Sequence, residues 1–258
     1  MIRSRSNRAI KEVIQLQKKS KVRNASELFV VEGLRLVAEI PPAQIKKIYV
    51  SEKCYKQHKN QIVTYSYPCE MVSDEVFSYM SDTKSPQGIL GIVRQRRYGL
   101  PELLREEKTL LLLLETLQDP GNLGTIFRTA EAAGVTGIIM DGDCVDMYHP
   151  KVIRSTMGTI FRMPFVVVED LLLCLEELKE KKIRVYGTDL MGKVDYCAER
   201  YQGGLAFLVG NEGNGLSQAL LEKSDVCLKI PMSGQVESLN AAVATAVLLY
   251  EVRRQRGL

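Results

Sequence analysis

From Thr109 onward, runs of apolar residues alternate with amphipathic segments. Strands are predicted where apolar runs stand between turn residues, at 109–116, 137–141, 164–168, 183–188, 205–210 and 226–230. Helices are predicted where apolar residues recur every three or four positions, at 122–133, 150–158, 170–181, 215–222 and 239–255. Because strands that alternate with helices usually form a parallel sheet covered on both faces, we expect an α/β domain over residues 108–258.

The first 95 residues show a more mixed pattern, which predicts a smaller α/β module. A basic helix is expected over residues 1–20, and its inner side would carry Ile10, Val13, Ile14 and Leu16 or Gln17. The stretches "IKKIYVS", "QIVTYSY" and "GILGIVRQ" are strand-like. Either Ser73 or Asp74 suits the N-cap of a further helix.

A charged segment separates these two patterns. Residues 96–107 contain Gly99 and Pro101 among several charged residues, which is typical of a linker. The sequence therefore predicts a module over residues 1–95, a linker over 96–107 and a larger domain over 108–258.

The composition favours a globular protein of the cytoplasm. Of the 258 residues, 45% are hydrophobic and 26% are charged. No apolar run has membrane-spanning length, and no apolar signal-peptide core follows the basic N-terminus. The 6 cysteines are scattered without metal-site spacing, so reduced thiols are expected, with neither a metal nor a membrane partner.

The positive charge is concentrated near the N-terminus. Residues 1–60 carry 14 Lys and Arg against 5 Asp and Glu, although the whole chain has a net charge of only +4. A basic end on a nearly neutral body is typical of a protein that binds a polyanion, most simply a nucleic acid. A solvated helix face explains the same pattern, and charge alone does not decide between the two.

Three stretches at predicted strand ends carry unusual polar residues, and the first is "ETLQDPGNLGTIFRTAEAAGV". Asp119 begins a turn, and Asn122 suits a helix N-cap. Arg128 lies far round the helix from the apolar stripe, so it faces either a crevice or solvent. Ligands of open α/β sheets bind beyond the carboxyl ends of the strands, which makes this stretch a candidate site.

The second stretch, "FLVGNEGNGLS", is a glycine-rich turn that does not match a phosphate-binding loop. It lacks the Gly-Lys-Ser/Thr of a P-loop, and its glycines have the wrong spacing for a dinucleotide fingerprint. A negative Glu212 would oppose a phosphate group at a helix start. The loop suits a ligand with positive charge or a flat base, or it is a turn whose glycines supply positive φ.

The third stretch, "IPMSGQVESLNAAVATAVLLYE", places polar residues at the start of an apolar helix. Ser238 is either a helix N-cap or a site residue. Asn240 needs hydrogen-bond partners, because an unsatisfied buried amide costs about 1–3 kcal/mol.

Taken together, these stretches resemble the three motifs of the SpoU (TrmH-like) family of RNA ribose 2′-O-methyltransferases. The resemblance covers nearly the whole chain and implies a trefoil-knotted SPOUT-type parallel-sheet domain after an N-terminal substrate-binding module like some ribosomal proteins. It further implies a homodimer, S-adenosyl-L-methionine as cofactor, and RNA as substrate, with ribosomal RNA favoured over tRNA. A fourth stretch, "HPKVIRSTMGTIF", also resembles the family at Arg154 and Gly158. His149, by contrast, is expected to act only as a local hydrogen-bonding residue.

The resemblance assigns residues to three roles. The implied catalytic residues are Asn122, Arg128, Glu212, Ser238 and Asn240. The implied cofactor-binding residues are Thr188, Gly210, Asn211, Ile230, Met232, Ser238 and Leu239. The basic N-terminal residues and two further arginines are the predicted RNA contacts, namely Arg3, Arg5, Arg8, Lys18, Lys19, Lys21, Arg23, Arg128 and Arg154.

Two other classes of protein remain open. A non-catalytic RNA-binding or ribosome-assembly protein could use the same scaffold, although it would not need the full polar set. A nucleotide-dependent oxidoreductase is disfavoured because the dinucleotide fingerprint is missing.

Overall fold

A computed structural model of the chain describes residues 1–63, 69–104 and 108–257, without the side chains of residues 61 and 63. The residues cluster into two compact units. The first unit comprises Met1–Arg96 and Asp146–Phe161, and the second comprises Arg97–Val145 and Arg162–Leu258. None of the described helices is long and apolar enough to cross a membrane.

The first unit is built on a four-stranded mixed sheet. Its elements are α1 (Arg8–Lys18), α2 (Ser20–Ser26), β1 (Leu28–Glu32), α3 (Leu34–Ala38), β2 (Ile45–Ser51), α4 (Glu52–Val63), β3 (Cys69–Val72), α5 (Asp74–Met80), β4 (Ile89–Arg94) and α8 (Pro150–Thr156). The strand order is β1-β4-β2-β3, in which only β2 and β3 run parallel. Apolar residues of α1, α5 and the sheet form the core of this unit.

The N-terminal pattern predicted most of these elements and misplaced two. The basic helix is shorter than residues 1–20: it begins after the cap residue Asn7, whose side chain accepts a hydrogen bond from the N–H of Ala9. Ile2 instead forms a bridge with Val72 at the edge of the sheet. The strand predicted at "QIVTYSY" is wrong at its start, where α4 continues, and residues 64–68 lie outside the described part of the chain.

Arg23 is buried inside the first unit, which corrects its predicted role in RNA binding. Its side chain is 2% exposed and forms an ion pair with Asp146. Its guanidinium also donates hydrogen bonds to the carbonyl oxygens of Leu16 (2.7 Å) and Gln17 (3.0 Å). Because its donors are already occupied inside the protein, Arg23 does not contact a phosphate backbone.

The second unit contains a seven-stranded sheet that is parallel throughout. Its remaining elements are α6 (Leu100–Leu103), β5 (Leu110–Leu114), α7 (Pro120–Ala133), β6 (Gly137–Asp141), β7 (Phe165–Val168), α9 (Leu171–Glu180), β8 (Arg184–Thr188), β9 (Val194–Asp195), β10 (Leu205–Val209), α10 (Gln218–Lys223), β11 (Val226–Lys229) and α11 (Ala241–Arg256). The strand order is β7-β6-β5-β10-β8-β11-β9. The predicted α/β fold with a parallel sheet is confirmed; the two-residue β9 was not predicted.

The central strands are continuous apolar runs because both of their faces are covered. Every residue of β5 and β10 is buried. Leu103, within the predicted linker 96–107, is also buried in this core, and residues 105–107 of that segment lie outside the described residues. All the strands point the same way, so their carboxyl ends meet along one edge of the sheet, where the polar loops follow.

Candidate active site

A cavity of about 360 Å³ lies beyond the carboxyl ends of β8, β10 and β11. All seven predicted cofactor-binding residues line it, namely Thr188, Gly210, Asn211, Ile230, Met232, Ser238 and Leu239. The sequence did not identify several apolar residues of the lining, including Leu190, Met191 and Leu248. Leu190 and Met191 come two and three residues after the end of β8, so their place at a strand end could have indicated them.

The glycine-rich loop after β10 folds back tightly on itself. The backbone of Asn211 exchanges hydrogen bonds with Gly215, at 3.0 and 2.9 Å. A Cβ atom on Gly210 would overlap the backbone of Gly215 and Leu216, so glycine is required there for close approach. Gly215 has φ = 70°, in the left-handed region. These glycines therefore shape one wall of the cavity.

Glu212 joins this loop to the start of α7. Its carboxylate accepts hydrogen bonds from the backbone N–H groups of Gln118 (3.2 Å) and Asp119 (3.1 Å) and from the Asn122 side-chain amide (3.0 Å). The Asn240 amide donates in turn to Asn122 Oδ1 at 2.8 Å. Residues from three separate strand ends thus form one connected polar cluster.

The helix caps differ from the predicted ones. This difference leaves the Asn122 side chain available for hydrogen bonds within the polar cluster. Asp119 caps α7 by accepting from the N–H of Asn122, so the Asn122 side chain is not used as a cap. Asn240, rather than Ser238, caps α11 by accepting from the N–H groups of Ala242 and Val243. Ser238 is exposed and forms no hydrogen bond within the described residues.

The environment of Glu212 favours its charged form. Partial burial raises its pKa, but hydrogen bonds from the Asn122 side chain and from the N–H groups of Glu212, Asp119 and Gln118 together lower it more. The pKa of Glu212 therefore lies below its ordinary value, and the carboxylate is negative at neutral pH. The Glu212 carboxylate keeps these hydrogen bonds at any pH above the ordinary pKa of glutamate. It loses them only as the pH falls through its depressed pKa.

An open groove of about 610 Å³ adjoins the cavity at this cluster. It is lined by Gln118, Asp119, Asn122, Glu212, Ser238, Leu239, Asn240 and Ala241. Four of these residues, including Glu212 and Ser238, line the cavity as well. Ligands in the cavity and in the groove would therefore meet at the polar cluster.

The structure does not bring Arg128 into this cluster. Arg128 is exposed on α7, and its guanidinium forms no hydrogen bond or ion pair within the described part of the chain. It lies six residues after Asn122, which is about 9 Å along the helix and about 120° around it. Of the five predicted catalytic residues, the other four line the groove.

Apart from Arg23 and Arg128, the predicted RNA contacts fall into three groups. Arg3, Arg8, Lys18, Lys19 and Lys21 are exposed in the first unit. Arg5 is also exposed, but it pairs with Glu75 at 2.7 Å and lies over the ring of Tyr79. Arg154 pairs with Asp82 at 3.0 Å.

Comparison with known proteins supports the predicted family. Residues 109–250 match the sequence model of the SpoU rRNA Methylase family, and residues 7–91 match that of an MRM3-like substrate binding domain. The chain is 37% identical over 254 residues to the Bacillus subtilis 23S rRNA (guanosine(2553)-2′-O)-methyltransferase RlmP, with 98% of each chain covered.

Solved structures agree with this assignment. An AdoMet-bound rRNA methyltransferase from Sinorhizobium meliloti is 31% identical, has a TM-score of 0.83, and covers 98% of this chain and 97% of its own. The SpoU methyltransferase AviRb from Streptomyces viridochromogenes, in complex with AdoMet, is 26% identical, has a TM-score of 0.88, and covers 97% of this chain and 98% of its own. With three motifs joined in one polar cluster and a family match over more than half of its length, the chain belongs to the SpoU rRNA Methylase family.

Proposed function

We propose that the protein transfers a methyl group from S-adenosyl-L-methionine to a ribose 2′-hydroxyl of RNA, most simply ribosomal RNA. The observation that carries this proposal is the polar cluster of Asn122, Glu212 and Asn240, which lies where the cavity meets the groove. Family membership supports the reaction class, and the relatives named for rRNA support the substrate class.

The cavity fits S-adenosyl-L-methionine in shape and charge. Apolar side chains such as Leu239 and Leu248 suit an adenosine. Glu212 disfavours phosphate and favours a cationic ligand. When bound, this cofactor supplies a methyl group activated by a positively charged sulfur.

The residues of the groove would position the ribose. The Asn122 and Asn240 amides are held by their hydrogen bonds, so their orientation is fixed before RNA binds. The Ser238 hydroxyl lies in both the cavity and the groove and is available to the substrate. A protonated Arg128 would bind the nucleotide's phosphate and stabilise the alkoxide that develops as the 2′-hydroxyl loses its proton.

The exposed basic residues of the first unit would hold the RNA backbone. Arg3, Arg8, Lys18, Lys19 and Lys21 are exposed, and this part of the chain matches a substrate-binding domain. Phosphate contacts by such residues release counterions, so RNA affinity should fall steeply with salt. A ribosomal RNA substrate in bacteria also favours the cytoplasm as the protein's location.

A homodimer with knotted catalytic domains is the assembly that the family resemblance favours. The α11 helix supports it, because Val243 is 49% exposed and Tyr250 is 50% exposed in its first ten residues, 241–250, which are apolar apart from Thr245. These residues are seven apart and therefore share one face. A second copy of the chain would bury this face, as hydrophobic surfaces of oligomers do.

The paired change Val243→Asp and Tyr250→Asp is expected to convert the dimer to a monomer, since it would place two charges in an apolar interface. Light scattering after size-exclusion chromatography measures the mass. Leu173→Asp is the matched control, because Leu173 is 62% exposed on α9 in the same unit. A wild-type protein that elutes with the mass of one chain would refute the dimer.

Glu212→Ala is expected to lower kcat about 10- to 100-fold, because three hydrogen bonds to a charged carboxylate are lost. Glu212→Gln should lie between this variant and the wild type, since it keeps an acceptor for Asn122 and Asp119. Initial rates at saturating cofactor measure the effect. Unchanged turnover in Glu212→Ala would remove the residue from the mechanism.

The function itself is tested by transfer of labelled methyl groups to unmodified ribosomal RNA and, separately, to unmodified tRNA. We expect label on ribosomal RNA. The phosphodiester bond that follows the methylated ribose should become resistant to alkaline hydrolysis. Label on tRNA alone would reassign the substrate. Cofactor binding without labelling of either RNA, or of ribosome-assembly particles, would indicate a non-catalytic RNA-binding protein.

A further inference from the structure

Thr116, between β5 and α7, has a backbone conformation that threonine rarely adopts. Its φ is 52°, in the left-handed region. A β-branched residue is strained there and keeps this conformation only when its surroundings impose it. Thr116 does not line the cavity or the groove, so the strain serves something other than direct ligand contact.

Asp141, the last residue of β6, supplies the restraint. Its Oδ2 atom accepts hydrogen bonds from both the backbone N–H of Thr116 (2.8 Å) and its hydroxyl (3.0 Å). Its Oδ1 atom accepts from the N–H of Cys144 at 2.9 Å, which fixes the carboxylate itself. The two bonds to one residue hold both the backbone and the side chain of Thr116.

The Thr116 carbonyl is directed at the cavity loop as a result. Its oxygen accepts a hydrogen bond from the Asn211 side-chain amide at 2.8 Å. The Asn211 Oδ1 atom then accepts from the N–H groups of Gly213 (2.9 Å) and Asn214 (3.2 Å). Asn211 therefore uses both ends of its amide, and the orientation of that amide sets the path of the loop beside the cavity.

We propose that Asp141 is a positioning residue for the cofactor loop. It holds Thr116 in the left-handed conformation, so that the Thr116 carbonyl fixes Asn211 and, through it, the loop that contains Glu212. This inference rests on the proposed function, because it assigns the loop to the binding of S-adenosyl-L-methionine. Asp141 contributes to affinity for the cofactor without touching it.

Asp141→Ala is expected to raise the dissociation constant for S-adenosyl-L-methionine about tenfold, as loss of a loop-ordering hydrogen-bond set should. Calorimetry measures cofactor binding, and steady-state kinetics should show a raised KM for the cofactor with an unchanged KM for RNA. Asp143→Ala is the matched control, since Asp143 lies in the same turn and its carboxylate contacts neither Thr116 nor the cavity.

Adding Thr116→Gly to Asp141→Ala provides the decisive test. Glycine adopts positive φ without steric cost, so the double variant should recover most of the lost affinity. A merely structural role for Asp141 predicts the opposite, because glycine loosens the chain further. Asp141→Asn should bind the cofactor with an affinity between those of Asp141→Ala and the wild type. Its amide oxygen can replace Oδ2, but its NH2 group cannot accept from the N–H of Cys144 as Oδ1 does.

Hydrogen exchange of the protein without ligand gives an independent readout. The amides of Gly213 and Asn214 should exchange faster in Asp141→Ala, while those of β10 stay protected.

Should the Asp141→Ala variant fail to fold, Thr116→Val and Thr116→Gly take its place. Valine keeps the backbone strain and loses the hydrogen bond of the hydroxyl group, so it should weaken cofactor binding more than glycine does. The inference is overturned if Asp141→Ala binds the cofactor as tightly as the wild type, or if the two Thr116 variants weaken cofactor binding equally. A wild-type protein that does not bind the cofactor overturns the proposed function instead.

Discussion

Replacement of Arg128 by alanine is expected to lower methyl transfer about 100- to 1000-fold, the range found when a group that stabilises a developing oxyanion is removed. The guanidinium is exposed and has no partner within the described residues, so it is free to bind RNA. Cofactor affinity should not change, because Arg128 does not line the cavity. Arg128→Lys should restore only part of the activity, since lysine keeps the charge without the planar fork of donors.

The comparison needs a matched arginine on the same unit. Arg200 is exposed, and its side chain forms no bond within the described part of the chain, so Arg200→Ala controls for the loss of one surface charge. Single-turnover rates with labelled cofactor separate chemistry from product release. Full activity in Arg128→Ala would exclude Arg128 from the reaction.

A mixture of two defective variants would show in which chain Arg128 acts. Within one chain, Arg128 lies away from the Glu212 cluster, so the proposed dimer is expected to bring it to the partner's site. In a mixed dimer of Arg128→Ala and Glu212→Ala, one site would then have both residues intact, and activity should return. If both residues act within one chain, every site in the mixture stays defective.

The second large effect is expected on stability, from the buried pair of Arg23 and Asp146. Asp146→Ala should lower the free energy of unfolding by about 3 kcal/mol, the lower end of the range for breaking a buried ion pair. The reason is that Arg23, at 2% exposure, would keep a buried charge without its carboxylate. Urea denaturation measures the loss, and hydrogen exchange in α1 and α2 should localise it.

An exposed ion pair in the same unit provides the control. Arg5 and Glu75 are 54% and 75% exposed, so Arg5→Ala should cost less than about 1 kcal/mol. Equal destabilisation by Arg5→Ala and Asp146→Ala would show that burial does not strengthen the Arg23 pair.

The sequence alone indicated where the cavity lies and part of its lining. Apolar runs with helices between them predicted the parallel sheet, and the carboxyl ends of parallel strands lie at one edge. Residues placed directly after those strands were therefore candidates, and the seven that the family resemblance implied for the cofactor all line one cavity. Local chemistry also indicated a loop unsuited to phosphate, because an ionised Glu212 would repel it.

The tertiary structure decided how those residues are used. Asp119 and Asn240 cap the helices, and Asn122 is thereby left to bridge Glu212 and Asn240. Caps of this kind depend on which residue begins a helix, and a sequence pattern locates that boundary only to within a few residues.

Long-range pairing is the other feature that the sequence did not show. Arg23 was predicted to be one more exposed basic residue in a basic segment. It is instead buried against Asp146, which is 123 positions away. Asp141 and Thr116 are 25 positions apart and meet only because β5 and β6 lie side by side. Sequence periodicity reports which face of an element is buried, whereas the partner of a buried charge is chosen by the packing of distant segments.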